Sequence, residues 1–558
     1  METATVCSGA LEAGPVARQS LPALVLISFV SLFSAFLIYF YAPFWSVRRV
    51  PGPPTRFPVG HLHLLAKNGP DVFRAIAKEY GPIFRFHMGR QPLVIVANAE
   101  LCKEVGIKKF KDIRNRSTPP PTVGSLHQDA LFLTRDSKWS VMRNTVVPLY
   151  QPARLAGLIP VMQSYVDALV ANIAGCPDQD CIPFCQLSLR MAIDIIGKTA
   201  FGIEFGLSKD PGGEADGGDD DDVREFLKEY KRSMEFIKMD LSSSLSTILG
   251  LFLPCVQTPC RRLLRLVPGT ADYKIDENER RLCRRIDAII AGGRRDRAAR
   301  RHGGAGDAAG RSAPLDFIAA LLDAMENGSA GGGKGDKEFA LEDRHVRALA
   351  YEHLIAGTKT TAFTLSSVVY LVSCHPRVEE KLLQELDAFF FAAAPPRPPT
   401  ADELQSGFPY LDQVIKESMR FHLVSPLIAR QASERVEVGG YALPKGACVW
   451  LAPGVLARDA AEFPEPEEFR PERFAAGSAE ETARHLYAHI PFGVGPRACI
   501  GHKFALQQVK LAVVGLYRRY VFRHSPAMES PIQFDFDLVL AFRHGVKLRA
   551  VRRERETE

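Results

Sequence analysis

The sequence predicts a mainly α-helical domain with a small β region, set behind one N-terminal transmembrane helix. Three observations carry that expectation. Gln19 to Val47 holds no charge, a long helical pattern runs from Leu341 to Cys374, and β-rich runs are confined to short blocks such as Phe84–Met88 and Pro92–Val96. With 46% hydrophobic and 24% charged residues, the 558-residue chain is ordinary for a globular protein and long enough for one large core. Its net charge of +6 is spread along the chain rather than gathered in an arm. That distribution favours a membrane surface or an acidic protein partner and argues against nucleic acid. The eleven cysteines are odd in number and lack paired C-x-x-C zinc spacing, so they read as reduced thiols of a cytosol-facing domain. Cys181/Cys185 and Cys255/Cys260 read as packing residues rather than ligands.

Taken in order, residues 1–20 form a luminal segment, 21–44 the transmembrane anchor, 45–56 a basic, proline-rich hinge, and 57–558 the main domain. The apolar run from Leu21 to Tyr41 matches the ~20 residues needed to cross a bilayer. Arg18 precedes it, whereas Arg48, Arg49 and Arg56 follow, so the basic excess puts the main body in the cytosol. A cleaved secretory signal fits less well, because the run is long for one and Glu2 and Glu12 oppose the single leading arginine. Pro51-Gly52-Pro53-Pro54 then forms a stiff, non-helical hinge. The two β-rich runs, separated by Gly-Arg, read as a hairpin. Acidic Gly212–Asp222, basic Gly292–Arg311 and glycine-rich Gly328–Asp336 read as solvated loops. The pattern from Leu341 to Cys374, stopped by His375-Pro376, is apolar nearly all round in its second half, so it reads as a helix running through the core.

The chemistry concentrates in Pro491-Phe492-Gly493-Val494-Gly495-Pro496-Arg497-Ala498-Cys499-Ile500-Gly501. Three glycines and a proline around one cysteine make a tight loop whose amides point at the sulfur and stabilise a metal-ligating thiolate. Arg497 has the fork geometry for a carboxylate such as a haem propionate. Gly501 lets the following helix pass close to the porphyrin. A buried cysteine in a glycine-rich turn is the blander alternative, but the full pattern F-x-x-G-x-R-x-C-x-G outweighs it.

In these residues the sequence resembles the cytochrome P-450 family, the haem-thiolate monooxygenases, in which a cysteinate holds haem iron. The resemblance implies that fold, haem b as cofactor, O2, and NADPH-derived electrons through NADPH-cytochrome P-450 reductase. It also implies an endoplasmic reticulum membrane protein of one pass with a cytosolic catalytic domain. Cys499 is then the iron ligand, with Phe492, Gly495, Arg497 and Gly501 around the cofactor. Glu417 and Arg420, one helical turn apart, pair with Arg473 of Pro471-Glu472-Arg473-Phe474 in a structural lock behind the haem. Trp139 and Arg143, in W-x-x-x-R, and Arg430 reach the propionates, giving three arginines for two carboxylates. Ala356-Gly357-Thr358-Lys359-Thr360 matches A-G-x-x-T: the glycine opens a groove above the iron and the Thr360 hydroxyl relays protons.

One departure stands out. Where the family carries an acid before this threonine, the chain has Lys359, which cannot shuttle protons as a carboxylate does. Either water and Thr360 suffice, with Lys359 pointing elsewhere, or oxygen is handled as in family members that rearrange a peroxide. At finer grain, Gly69–Arg116, Lys238–Gly250, Tyr351–Ser373 and Phe408–Arg430 resemble the plant carlactone oxidases of strigolactone biosynthesis, the "more axillary growth" type. That likeness implies that the missing acid is a group feature, and that carlactone, an apocarotenoid, is oxidised stepwise to carlactonoic acid and on to strigolactones. The residues themselves indicate only an apolar small-molecule substrate. A haem isomerase needing no reductase and a non-enzymatic haem sensor remain as alternatives.

Overall fold

The computed structural model describes residues 15–117, 128–208, 221–236, 244–302, 316–326, 341–392, 397–536 and 539–553. Helix α1, Pro15–Ser46, contains a stretch from Pro22 to Ser46 with mean hydropathy 2.4 that is almost wholly exposed. By length and composition it can cross a bilayer. Its C-terminal end does not stand clear of the domain. Phe40, Val47 and Val50 are buried, and Arg90 donates to the Tyr39 carbonyl while lying 3.9 Å from the centre of the Tyr39 ring. The hinge is likewise fastened down: the Arg85 amide donates to the Pro51 carbonyl, and Gly52 lies so close to the Arg85 backbone that a Cβ would not fit.

The expected hairpin is present. Strands β1, Ile83–Met88, and β2, Gln91–Val96, pair antiparallel from Ile83↔Val96 to Met88↔Gln91. The turn passes through Gly89, whose φ of 55° is in the left-handed region that glycine adopts without strain. Two later strands, β3, Ile428–Gln431, and β4, Cys448–Leu451, complete a sheet of order β1-β2-β4-β3, with β2 and β4 parallel. Val94 and Val96 pack into one apolar cluster while Leu93 and Ile95 pack into another, so this small sheet is covered on both faces.

The principal helices that frame the site are α2, Asp136–Val146; α3, Phe184–Ile196; α4, Ala271–His302; α5, Asp343–Cys374; α6, Pro409–Phe421; and α7, His502–Tyr517. Helix α5 is the long core helix expected from the sequence. A capping box between Glu342 and His345 starts it, and Val346, Leu349, Leu354, Leu365, Val368, Val369 and Val372 bury its length. His375-Pro376 ends it, as proline cannot continue the hydrogen-bond ladder.

The basic stretch from Gly292 is a correction to the expected loop: α4 continues through it to His302, and the remainder to Arg311 lies outside the described residues. Arginine and alanine are good helix formers, and Arg294 pairs with Asp343 at the start of α5, so charge there decorates a helix face. Of the acidic Gly212–Asp222 segment, Asp221 and Asp222 open a helix, Asp221–Phe236, and the rest falls outside the described residues, as does Gly328–Asp336. All ten described cysteines are free thiols.

Candidate active site

The cysteine loop is a sequence of tight turns. Gly493 and Gly495 take φ values of 80° and 72°, and the Gly106 carbonyl packs so closely on Gly495 that any side chain would collide with it. The Cys499 amide donates to the Phe492 carbonyl at 2.8 Å, and the Gly501 amide donates to the Cys499 sulfur. Burial pushes the Cys499 thiol up, while the Gly501 amide and the cations Arg143 and Arg116 pull it down. The sulfur lies deep in the molecule yet is open on one side, because Cys499 lines a cavity of about 590 Å³. Burial also pushes other thiols up, Cys102 to about 12 against backbone hydrogen bonds and Cys448 to about 11 against Ser117 and Arg135.

Phe492, Gly501, Ala356, Gly357, Thr360 and Thr361 line the same cavity, so the loop before α7 and the middle of α5 form facing walls. Thr360 donates back to the Ala356 carbonyl at 2.5 Å, as expected for a threonine inside a helix. One expectation for this helix is corrected. Gly357 touches the cavity, but the space a Cβ would need is filled by Ile196, so its glycine serves the close packing of α5 on α3 rather than opening a groove. Lys359 is among the residues that border the cavity.

Trp139 and Arg143 of α2 also line the cavity, and Arg497 lies with its guanidinium 4.2 Å from the Trp139 ring centre. Arg497 donates through all three nitrogens to backbone carbonyls, of Arg114, Leu131 and Thr134. One N–H remains on each terminal nitrogen for another acceptor. Arg430 departs from expectation. It is completely buried beside β4 and donates to the Ala429 and Val494 carbonyls, whereas the cavity wall there is made by Ile428 and Ala429. Its Nε has no hydrogen-bond partner among the described residues, and burial together with Arg116 and Arg497 holds its guanidinium well below the usual range.

Glu417, Arg420 and Arg473 meet as expected. Glu417 accepts two bonds from Arg420, both at 2.7 Å, and one from Arg473 at 3.1 Å, and all three side chains are inaccessible to solvent. None of the three is among the residues lining the cavity.

Three features escaped the sequence reading. Arg116 lines the cavity with an Nε that has no hydrogen-bond partner among the described residues, its guanidinium 4.1 Å from the Phe132 ring centre. In sequence it is one more basic residue in a basic stretch. Glu352 and His353 precede the A-G-x-x-T segment and carry no motif signal. Glu352 accepts from the Leu131 and Phe132 amides, and His353 bonds to the Tyr150 hydroxyl at 2.8 Å.

This donor set fits a flat metal macrocycle that carries carboxylates. Among the described residues no three His, Cys, Asp or Glu side chains converge on a point, so the chain offers such a metal one sulfur and its cofactor must bring the other ligands. Arg116 and Arg143 line the cavity, and among the described residues no carboxylate is hydrogen-bonded to either, which leaves room for two acidic groups from the occupant.

Residues 50–545 match the family model described as Cytochrome P450. Among curated proteins the chain is similar to Thromboxane-A synthase of Sus scrofa, 27% identical over 89% of this chain and 90% of that one. It is similar also to cytochrome P-450 3A12 of Canis lupus familiaris, 28% identical over 87% and 88%, and to Lithocholate 6-beta-hydroxylase of Mesocricetus auratus, 27% identical over 86% of each.

Proposed function

This chain belongs to the cytochrome P-450 family of haem enzymes, and from that premise we propose that it is a membrane-anchored monooxygenase acting on a large apolar molecule through iron held by Cys499. The observation that carries this reading is the cavity of about 590 Å³ with the only cavity-lining thiol among the described residues on one wall and the Ala356–Thr361 segment on the other. The cavity has to hold the macrocycle together with the substrate, and its largely apolar lining suits an apolar one. Bound haem supplies the redox chemistry with O2, using electrons drawn from NADPH through a reductase.

The residues divide the remaining work. Cys499 provides the sulfur, screened by the Gly501 amide. Arg116, Arg143 and Arg497 neutralise the cofactor's carboxylates, with Trp139 beneath Arg497 fixing the plane of its guanidinium. Arg430 contributes positive field from behind the wall. Phe492, Ile355, Leu427, Val509 and their neighbours exclude water and orient an apolar substrate. Thr360 holds a hydroxyl at the cavity for proton delivery. Helix α1 anchors the chain in the endoplasmic reticulum membrane with the domain in the cytosol, where the exposed Lys503 at the start of α7 meets an acidic reductase.

Carlactone is the substrate we assign within this class. The likeness of Gly69–Arg116, Lys238–Gly250, Tyr351–Ser373 and Phe408–Arg430 to carlactone oxidases supports it; the pig, dog and hamster relatives bear other names and lend it no support. The test is incubation of microsomes containing the chain and a reductase with carlactone and NADPH, with product masses read. Carlactonoic acid is the expected product. Turnover of other apolar terpenoids without carlactone loss refutes the assignment but keeps the monooxygenase. Cys499→Ala should abolish the red-shifted band of the reduced carbon monoxide complex that thiolate ligation gives; survival of the band refutes the ligand.

A second reading is favoured by Lys359 on the cavity wall in place of an acid: rearrangement of a peroxide without a reductase. The chain is equally distant from a synthase and a hydroxylase, at 27% identity to each. NADPH-independent turnover of a peroxide would establish it in place of the monooxygenase.

A further inference from the structure

Glu352 lies one turn before Ala356 on α5, at the rim of the cavity. Its carboxylate accepts from two successive amides, Leu131 and Phe132, each at 2.7 Å. The same turn is gripped from its carbonyl side by the cysteine loop, because Arg497 donates to the Leu131 and Thr134 carbonyls. Phe132 in turn carries the Arg116 guanidinium on its ring. Leu131, Phe132 and Leu133 all line the cavity. One short turn is thus held by a carboxylate from α5 and a guanidinium from the cysteine loop, and it carries an arginine that faces the occupant. Arg116 and Arg497 both act on Glu352 electrostatically, so the acid is also the counter-ion inside an otherwise cationic cluster.

We propose that Glu352 is the latch of the cofactor pocket, a positioning residue that clasps the 131–134 turn to α5 and so holds Phe132 and Arg116 against the cofactor's edge. The inference rests on the haem reading above. Its chemistry is that of two successive backbone amides donating to one carboxyl group, bonds that are charge-assisted when the group is ionised. Burial pushes the carboxyl up to about 7, against the pull of the two amides and of Arg116 and Arg497. Without Glu352 the turn would keep its Arg497 contacts on the carbonyl side and lose both partners of its amides. With the latch in place, the occupant is sealed on the side where Arg116 and Arg143 stand.

The test compares the full chain with Glu352→Gln and Glu352→Ala by two readouts. The first is the rate at which bound haem transfers to an excess of apomyoglobin. The second is hydrogen exchange of the Leu131 and Phe132 amides. Glutamine keeps one acceptor oxygen and alanine keeps none, so haem transfer should speed up in the order Glu, Gln, Ala. The alanine variant should be faster by roughly tenfold or more, the scale of one lost charged hydrogen bond. Exchange should quicken at those two amides in the same order while the core of α5 stays protected. The reduced carbon monoxide spectrum should remain that of a thiolate complex in every variant that retains haem. Unchanged haem transfer in both variants, or exchange that rises evenly over the chain, overturns the proposal. If the unsubstituted chain binds no haem, the haem reading fails, and the exchange readout still decides whether the clasp exists.

Discussion

Replacing Glu417 by glutamine removes one negative charge and almost no volume, at a point where no water can enter. Glu417, Arg420 and Arg473 are 0%, 1% and 1% exposed. The carboxylate accepts from Arg420 Nε and Nη2, from Arg473 Nε, and from the Arg470 amide at 2.9 Å. An amide group has one acceptor oxygen and turns an N–H toward donors that already face it. Arg473 keeps a second carboxylate, Glu480, at 3.4 Å, whereas Arg420 retains only backbone carbonyls, those of Ala457, Pro466 and Glu468. The loss therefore falls chiefly on Arg420. Breaking a buried pair by removing one partner costs about 3–5 kcal/mol, a large part of the roughly 5–15 kcal/mol that stabilises a typical domain. Urea unfolding followed by far-ultraviolet circular dichroism measures it. Adding Arg420→Met to Glu417→Gln should recover about 1–3 kcal/mol, because the stranded cation is then gone. A Glu417→Gln cost under about 1 kcal/mol would mean that the cluster behaves as a surface pair and the reasoning fails.

Thr360→Ala should leave haem binding intact but consume NADPH without matching product, while Lys359→Ala is mild; full coupling in the first with loss of activity in the second reverses the roles. A chain starting at Phe36 should leave the membrane yet keep the stability of the whole, whereas one starting at Arg48 loses the packing of Phe40 and Val47 and should melt lower; equal melting temperatures refute a docked helix end. Stability should also carry a pH signature of Glu352. The folded chain holds its proton up to about 7 against the ordinary 4.5, so folding is favoured most below 4.5, weakens between 4.5 and 7, and is flat above. The difference between the chain and Glu352→Gln should follow that slope, amounting to about 3 kcal/mol at most from 1.36 kcal/mol per unit; a difference independent of pH refutes it.

The parts of this fold that were legible in the sequence are those where one local rule decides the outcome. The hairpin follows from two β-rich runs around Gly89, and α5 from thirty-odd residues of helical apolar spacing ended by proline. The Glu417 cluster was legible for a different reason: a three-residue spacing and a separated arginine gain meaning only beside the cysteine motif. What stayed hidden depends on tertiary packing. Gly292–His302 looked like a loop because its charges were read without the helix face they occupy and the Asp343 partner that meets Arg294. Gly357 was read as opening a groove because nothing in the chain says that Ile196 will fill the space beside it. Arg116 and Glu352 are distant in sequence and meet only when the 131–134 turn lies between them.

The middle of α5 shows why a motif threonine and its neighbours are not equivalent. Three hydroxyls lie within four residues. Thr358 faces away from the sulfur, buried, donating to the Leu354 carbonyl and bonded to the Tyr230 hydroxyl. Thr360 is at the cavity, and its single proton is given to the Ala356 carbonyl. A hydroxyl has one proton and two lone pairs, so in this geometry Thr360 presents acceptors to the cavity and must release Ala356 before it donates. Thr361 is also at the cavity, 2% exposed, and its oxygen has no hydrogen-bond partner among the described residues. An unsatisfied buried hydroxyl is costly unless a water or a ligand completes it. With no acid at position 359, the relay proposed above would rest on Thr360, because the Thr361 hydroxyl oxygen is buried and would have to rotate to reach a water in the cavity. The two side chains stand about 100° apart on one helix, so on this proposal Thr360→Ala should uncouple turnover more than Thr361→Ala.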